Sequence, residues 1–354
     1  MFRLKENIIN IKYFVVSNKH LIVKTLDNKV VYNNEMLDNN ILDDVILYED
    51  NIYYNNNKGI VIKNLINTRK NQIDDFFILN TKPMNCQYGL VYFNDDFSLF
   101  IFNKKNYNKN KIAIKDYDWG VSFFSNTHIF INNQNKIQTY SLTTPQTPQW
   151  QFDLSQFGTF QKREENLPYK VEKFIGIHQD RLYVALNGGM LLEIDIATGE
   201  LTHQWQNIMT TDRGFSYPVE TNTFTLDKQL GKLVSFYTSD FITIDLASKK
   251  VNITPMDEEL KKFDGRAFKP TSINYAIDET HIYTLVTLYA PEADFIKESV
   301  VAFNKQTKKI DWNFTDYQFG MAGGDTPKLA GNKLYLKVNI TNLYIFEKTS
   351  NESI

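Results

Sequence analysis

Five histidines and one cysteine are the side chains of this 354-residue chain best suited to metal or nucleophilic chemistry. A zinc-like ion needs three or four such ligands gathered at one point. Three of the histidines, His20, His128 and His281, instead each open a segment of one kind: HLIV (20–23), HIFI (128–131) and HIYTL (281–285). Arg181, Lys232 and Lys333 take the same place in RLYV, KLVSF and KLYLK. A position that accepts His, Arg or Lys reads as a polar entry to a strand. His178 and His203 have no Cys or carboxylate motif at ligand spacing, so no metal site is assigned. Cys86 lies beside the apolar LVYF (90–93) and reads as a buried, inert thiol.

Carboxylates are the other candidates, for general acid–base work. Asp195 and Asp245, with Asn304, recur in phase at the end of a strand-like segment, where Asp and Asn typically bond the backbone of the following turn. Asp212, Asp264 and Asp325 fall in longer connections and are the carboxylates to suspect if the chain is an enzyme. The chain has no G-x-x-x-x-G-K, G-x-G-x-x-G, H-E-x-x-H, C-x-x-C or G-x-S-x-G. No catalytic residue and no cofactor are assigned.

The elements that must position these residues repeat. DRLYVALNGGMLLEIDIATGELTHQW (180–205) reads strand, glycine turn, strand, turn, strand. Its first strand recurs as HLIV, NIYY (51–54), LVYF, HIFI, RLYV, KLVSF, HIYTL and KLYLK, with central residues 31 to 53 positions apart. A partner strand follows each copy, from VVY (30–32) to NLYIFE (342–347). Trp150, Trp205 and Trp312 fall at one place in their units, 55 and 107 residues apart. Repeats of this length that cannot bury both sheet faces alone predict a single all-β domain over 1–354, a β-propeller of four-stranded blades. Eight copies predict eight blades, with seven as the alternative. The last copy lacks its outer strand, and residues 5–12 are expected to supply it by pairing with 342–347.

Residues 180–205, with LYV…GG…L…ID…TGE…W, resemble the repeat of the quinoprotein-like (PQQ-like) propellers. The resemblance implies the fold and a bacterial source. It does not bring the quinone enzymes' chemistry: a lone Cys86 cannot form the vicinal disulfide some of them hold against the cofactor, and their calcium ligands find no match here. Other members are non-catalytic scaffolds, one a periplasmic assembly factor whose role would need an export signal that MFRLKENIINIKYFVV does not show.

Bulk composition narrows the partner class. A net charge of −2 makes no electrostatic case for nucleic acid, and the basic run 104–115 reads as a solvated hairpin. No apolar run approaches a membrane span. One cysteine permits no internal disulfide, which suits the cytoplasm. The uneven feature is loop length. Turns such as HQDR (178–181) and ATGE (197–200) are tight, whereas the connections 155–170, 207–218, 254–270 and 314–327 and the turn 289–299 are long and would share one face. They carry Arg163, Tyr169, Arg213, Phe215, Tyr217, Arg266, Phe268, Phe295, Tyr317, Phe319 and Asp325. Arg and Tyr dominate binding hot spots, and binding residues concentrate on loops. DRGFSYP (212–218) and DGRAFKP (264–270) are alike, and 256–263 reads as a short helix. The expected function is a monomeric, non-catalytic scaffold that binds a protein partner of unknown identity. The alternatives are an enzyme acting on a sugar or other small molecule in a central funnel, and a small-ligand sensor.

Overall fold

A computed structural model describes residues 2–33, 35–39, 41, 45–56, 59–67, 69–73, 76–78, 88–93, 99–103, 105, 109–111, 122–212, 215–268, 275–288, 297–315, 327–338 and 341–349. Among them the secondary structure is almost all β, with one α-helix, Asp257–Lys261. Seven four-stranded sheets and one of five strands are antiparallel, and two further pairs form two-stranded ribbons. The chain divides into two compact units, residues 10–154 and residues 1–9 with 155–354.

The smaller unit is four consecutive four-stranded sheets, beginning with Ile11–Val16 and ending with Trp150–Asp153. Its first two sheets share a core that includes Ile22, Val30, Ile52, Tyr54 and Val61. His20 is buried there, its ring bonded to Asp50 Oδ1 at 2.9 Å and the Tyr32 hydroxyl at 3.0 Å. Cys86 and most of 104–115 lie outside the described residues.

The larger unit repeats one plan. Val171–His178, Arg181–Leu186, Met190–Asp195 and Leu201–Trp205 form one sheet. Thr225–Asp227, Lys232–Tyr237, Asp240–Asp245 and Val251–Pro255 form the next. The third holds Gly265–Phe268, His281–Leu288, Lys297–Asn304 and Ile310–Thr315, with Ala276–Ile277 beside them. The fourth unites both ends of the chain. Phe2–Ile8 lies against Asn342–Lys348, in register from Phe2↔Lys348 to Ile8↔Leu343, followed by Lys333–Val338 and Lys328–Ala330. The pairing thus starts nearer the N-terminus than 5–12 and stops at Ile8, because Ile11–Val16 belongs to another sheet.

Neighbouring sheets of this unit bury their facing sides against each other. One core joins Tyr183 and Leu191 to Leu233 and Ile244, the next joins Phe236 and Phe241 to Val286 and Phe303, and a third joins Tyr283 and Val300 to Leu336 and Phe346. Polar staples cross the same gaps. Buried Lys305 reaches buried Asp227 at 2.8 Å, Glu193 pairs with Lys249, and the Trp205 indole donates to the Lys249 carbonyl at 3.0 Å. Trp150 and Trp205 are buried, whereas Trp312 is half-buried beside Phe2 and Phe346.

The recurring Asp and Asn residues are turn caps. Asp195 Oδ1 accepts the amides of Ala197 and Thr198, Asp245 Oδ1 that of Ser248, and Asn304 Oδ1 those of Gln306 and Thr307, all at 2.9–3.1 Å. Gly199, Lys249 and Lys308 then take the same positive φ, between 59° and 76°. These turns position no chemistry. They end the third strand of each sheet and start the fourth.

Candidate functional site

Two of the long connections of the larger unit form paired ribbons. Residues 159–168 form a ribbon, Thr159–Lys162 paired with Glu165–Pro168, that turns on Arg163 and Glu164. Arg163 takes a φ of 58°, as a tight two-residue hairpin requires. Residues 209–218 form a second ribbon, Met209–Asp212 paired with Phe215–Pro218.

Both ribbons are anchored on the turns that join second to third strands. Asn187 of the Asn187–Gly189 turn bonds the first ribbon's exit twice: its Oδ1 accepts the Lys170 amide at 2.7 Å, and its Nδ2 donates to the Pro168 carbonyl at 3.2 Å. Phe160 covers Gly188. A Cβ added there would stand 2.6 Å from the ring, and the φ of 72° is one that glycine adopts freely. Tyr169 packs on the Phe160 and Phe157 rings, with centroids 5.2 and 6.0 Å apart. After the second ribbon, the Thr221 hydroxyl donates to the Leu186 carbonyl at 2.8 Å.

The next turn, between Tyr237 and Asp240, is flanked on both sides. Buried Thr210 of the second ribbon bonds buried Asp240, and the Phe268 amide donates to the Thr238 carbonyl at 2.7 Å. This places Tyr217, which pairs with Thr210, and Arg266, two residues before Phe268, around one turn.

The side chains divide sharply on this face. Phe268 is fully buried, its ring 4.3 Å from Phe236, and so has no surface to offer a partner. Tyr169 is half-buried by its ring stack. Phe215 and Tyr217 are 67% and 43% exposed, and Arg163 and Arg266 are exposed. Among the described residues these four make no hydrogen bond, ion pair or ring contact. Arg213, Phe295, Tyr317, Phe319 and Asp325, and the Asp212 side chain, lie outside the described residues, and Asp264 is exposed at a φ of 59°.

Two carboxylates that sequence reasoning did not single out also act on each other through space here. Glu172 reaches solvent, yet its carboxyl is pushed up by desolvation and then by the Glu220 carboxylate, against the pull of Lys162. Burial and Glu220 likewise raise the Tyr237 hydroxyl. Neither glutamate lies in a motif. Their mutual influence joins segments some fifty residues apart, as does the anchoring of the nearby Lys173 ammonium on the Asn222 and Phe224 carbonyls at 3.0 and 2.8 Å. Among the described residues no three His, Cys, Asp or Glu side chains gather as a metal site.

No family model and no curated protein matches the sequence. Solved structures do match across the chain. BamB from Moraxella catarrhalis shares 11% identity at a TM-score of 0.55, covering 98% of this chain and 100% of that one. Sqt1 from Saccharomyces cerevisiae shares 9% at 0.59, covering 99% and 98%. The WD40 domain of SCAP from fission yeast shares 13% at 0.54, covering 98% of each. These likenesses establish the fold class, a β-propeller built of four-stranded antiparallel sheets.

Proposed function

We propose that the protein is a non-catalytic scaffold that binds a protein partner through the ribbon-bearing face of its larger unit. The observation that carries this reading is a set of four exposed side chains, Arg163, Phe215, Tyr217 and Arg266, with no internal partner on rigidly anchored elements. Leaving a large aromatic in water forgoes the free energy of burying it, and an unpaired guanidinium keeps its planar fork available for a carboxylate. Propellers serve widely as interaction scaffolds, and the similar structures belong to that class.

In this reading the chain is one continuous domain over 1–354, its eight sheets are eight blades, and Phe2–Ile8 completes the last of them. The 180–205 repeat supports membership of the PQQ-like branch and with it a bacterial source, and the lone cysteine suits the cytoplasm, where the chain is read as a monomer. Arg213, Phe319 and Asp325 join the binding set as neighbours in sequence or in loop type.

The test is affinity capture from the source organism with wild-type chain beside a Phe215→Ala/Tyr217→Ala variant. A protein retained by the first and lost from the second supports the reading. Identical sets from both would remove it. A second reading, small-molecule catalysis, is favoured by one observation only, the raised carboxyl of Glu172 beside Glu220. It requires that Glu172→Gln abolish a turnover that the ribbon variant retains.

A further inference from the structure

A cleft of about 710 Å³ opens on the larger unit between its third and fourth sheets. We propose that it binds a neutral sugar, a site separate from the ribbon face and independent of the protein-binding reading. The volume falls within the range of small-molecule sites, roughly 300–1,000 Å³.

Its apolar wall is aromatic. The Phe2 ring stands 5.5 Å from that of Tyr283 and 5.6 Å from that of Trp312. Tyr283 is buried at 1% exposure and forms floor, whereas Trp312 is half-buried and reaches the opening. Such a wall suits the C–H face of a pyranose.

The polar lining is open where a hydroxyl-bearing ligand would use it. His281 is committed, its Nδ1 to the Thr280 hydroxyl at 2.7 Å and its Nε2 to Asp311 Oδ2 at 3.0 Å. Asn304 Nδ2 also donates to Oδ2, at 2.8 Å. The second carboxylate oxygen of Asp311 accepts no hydrogen bond among the described residues, and the side chain is 43% exposed. Lys348 is 47% exposed and, among the described residues, its ammonium is held only by a 3.5 Å approach to Asp278, which leaves donor directions unused. Asn332 spends one N–H on a long 3.4 Å contact to Glu347. The lining therefore presents an anionic acceptor, a cationic donor and an amide able to do both. One carboxylate and one ammonium cancel, so a charged ligand gains little. A sugar hydroxyl donates and accepts at once, and fits this mixture beside an aromatic wall.

Saturation-transfer NMR on the full chain tests the site with methyl α-D-glucopyranoside, methyl β-D-galactopyranoside, N-acetyl-D-glucosamine and maltose, and with L-phenylalanine as a zwitterionic ring compound. At least one sugar is expected to receive transfer at its ring C–H protons. Asn332→Ala, at an exposed side chain, is expected to weaken that sugar at least tenfold without moving the Tm, and Asp311→Ala to weaken it at least tenfold with a lower Tm, because it also gives up the His281 and Asn304 bonds. If Asp311→Ala fails to fold, Asn332→Ala decides. No transfer to any sugar, transfer that survives the variants, or transfer to L-phenylalanine alone would overturn the proposal.

Discussion

Phe160 lies where a side chain on Gly188 would have to be, 2.6 Å from the position of its Cβ. One contact thus fixes a ribbon of one connection to a strand turn some thirty residues later. It explains why an exposed hairpin holds a defined place, which is what a preorganised binding surface requires.

Gly188→Ala is expected to break that fit. The left-handed φ costs a residue with a Cβ about 1–2 kcal/mol, and the ring must also move. A thermal melt should show a lower Tm, and proteolysis should open 159–168 first. Gly188→Ala in a Phe160→Ala background should cost less than in the wild type, because the clash is gone. Equal costs in both backgrounds would show that the ring does not rest on Gly188.

The Lys305–Asp227 pair joins two sheets with both side chains at most 2% exposed. Asp227→Asn or Lys305→Met alone should cost about 3–5 kcal/mol by leaving one charge unpaired. The double change should be much milder. Urea denaturation of the four chains measures this, and additive losses would contradict it.

Acid should loosen the sheet edge around Asp278. Burial alone would raise its carboxyl, but the Tyr283 hydroxyl at 2.7 Å, the His281 and Thr280 amides and Lys348 outweigh it and hold the group below the usual aspartate value. A folded value depressed below the unfolded one, about 3.9, gives stability that is complete above that pH and lost as the pH falls through the folded value. The Tm should therefore be flat near neutrality and fall below about pH 4. Asp278→Ala should lower the plateau and flatten the fall. An unchanged slope would place the acid sensitivity elsewhere.

Much of the fold was legible because it is local. Alternating strands such as RLYVAL and LLEID, and caps such as Asp195 and Asn304, act over a few residues, and the helix at Asp257–Lys261 announces itself by three acidic residues in its first turn and a buried Leu260. The ribbons were not legible. TFQK and ENLP flank an Arg-Glu turn with no Asn-Gly signal, and their shape is set by Gly188 and Asn187 from a distant turn. Phe215 and Phe268 sit in matching motifs, yet one is exposed and the other buried, because only Phe268 is drawn in by the Thr238 carbonyl and the Phe236 ring. Tertiary contact, not motif, divides them.

The central claim concerns which face meets the partner, and site-specific photo-crosslinking in the source cells tests it most directly. A photoreactive phenylalanine would replace Phe215 in one chain, Tyr217 in a second, and Thr198 or Ser248 on the tight-turn caps in controls. The account expects one discrete adduct shared by positions 215 and 217 and absent from 198 and 248. Adducts at the capped turns, with none at the ribbon, would contradict it.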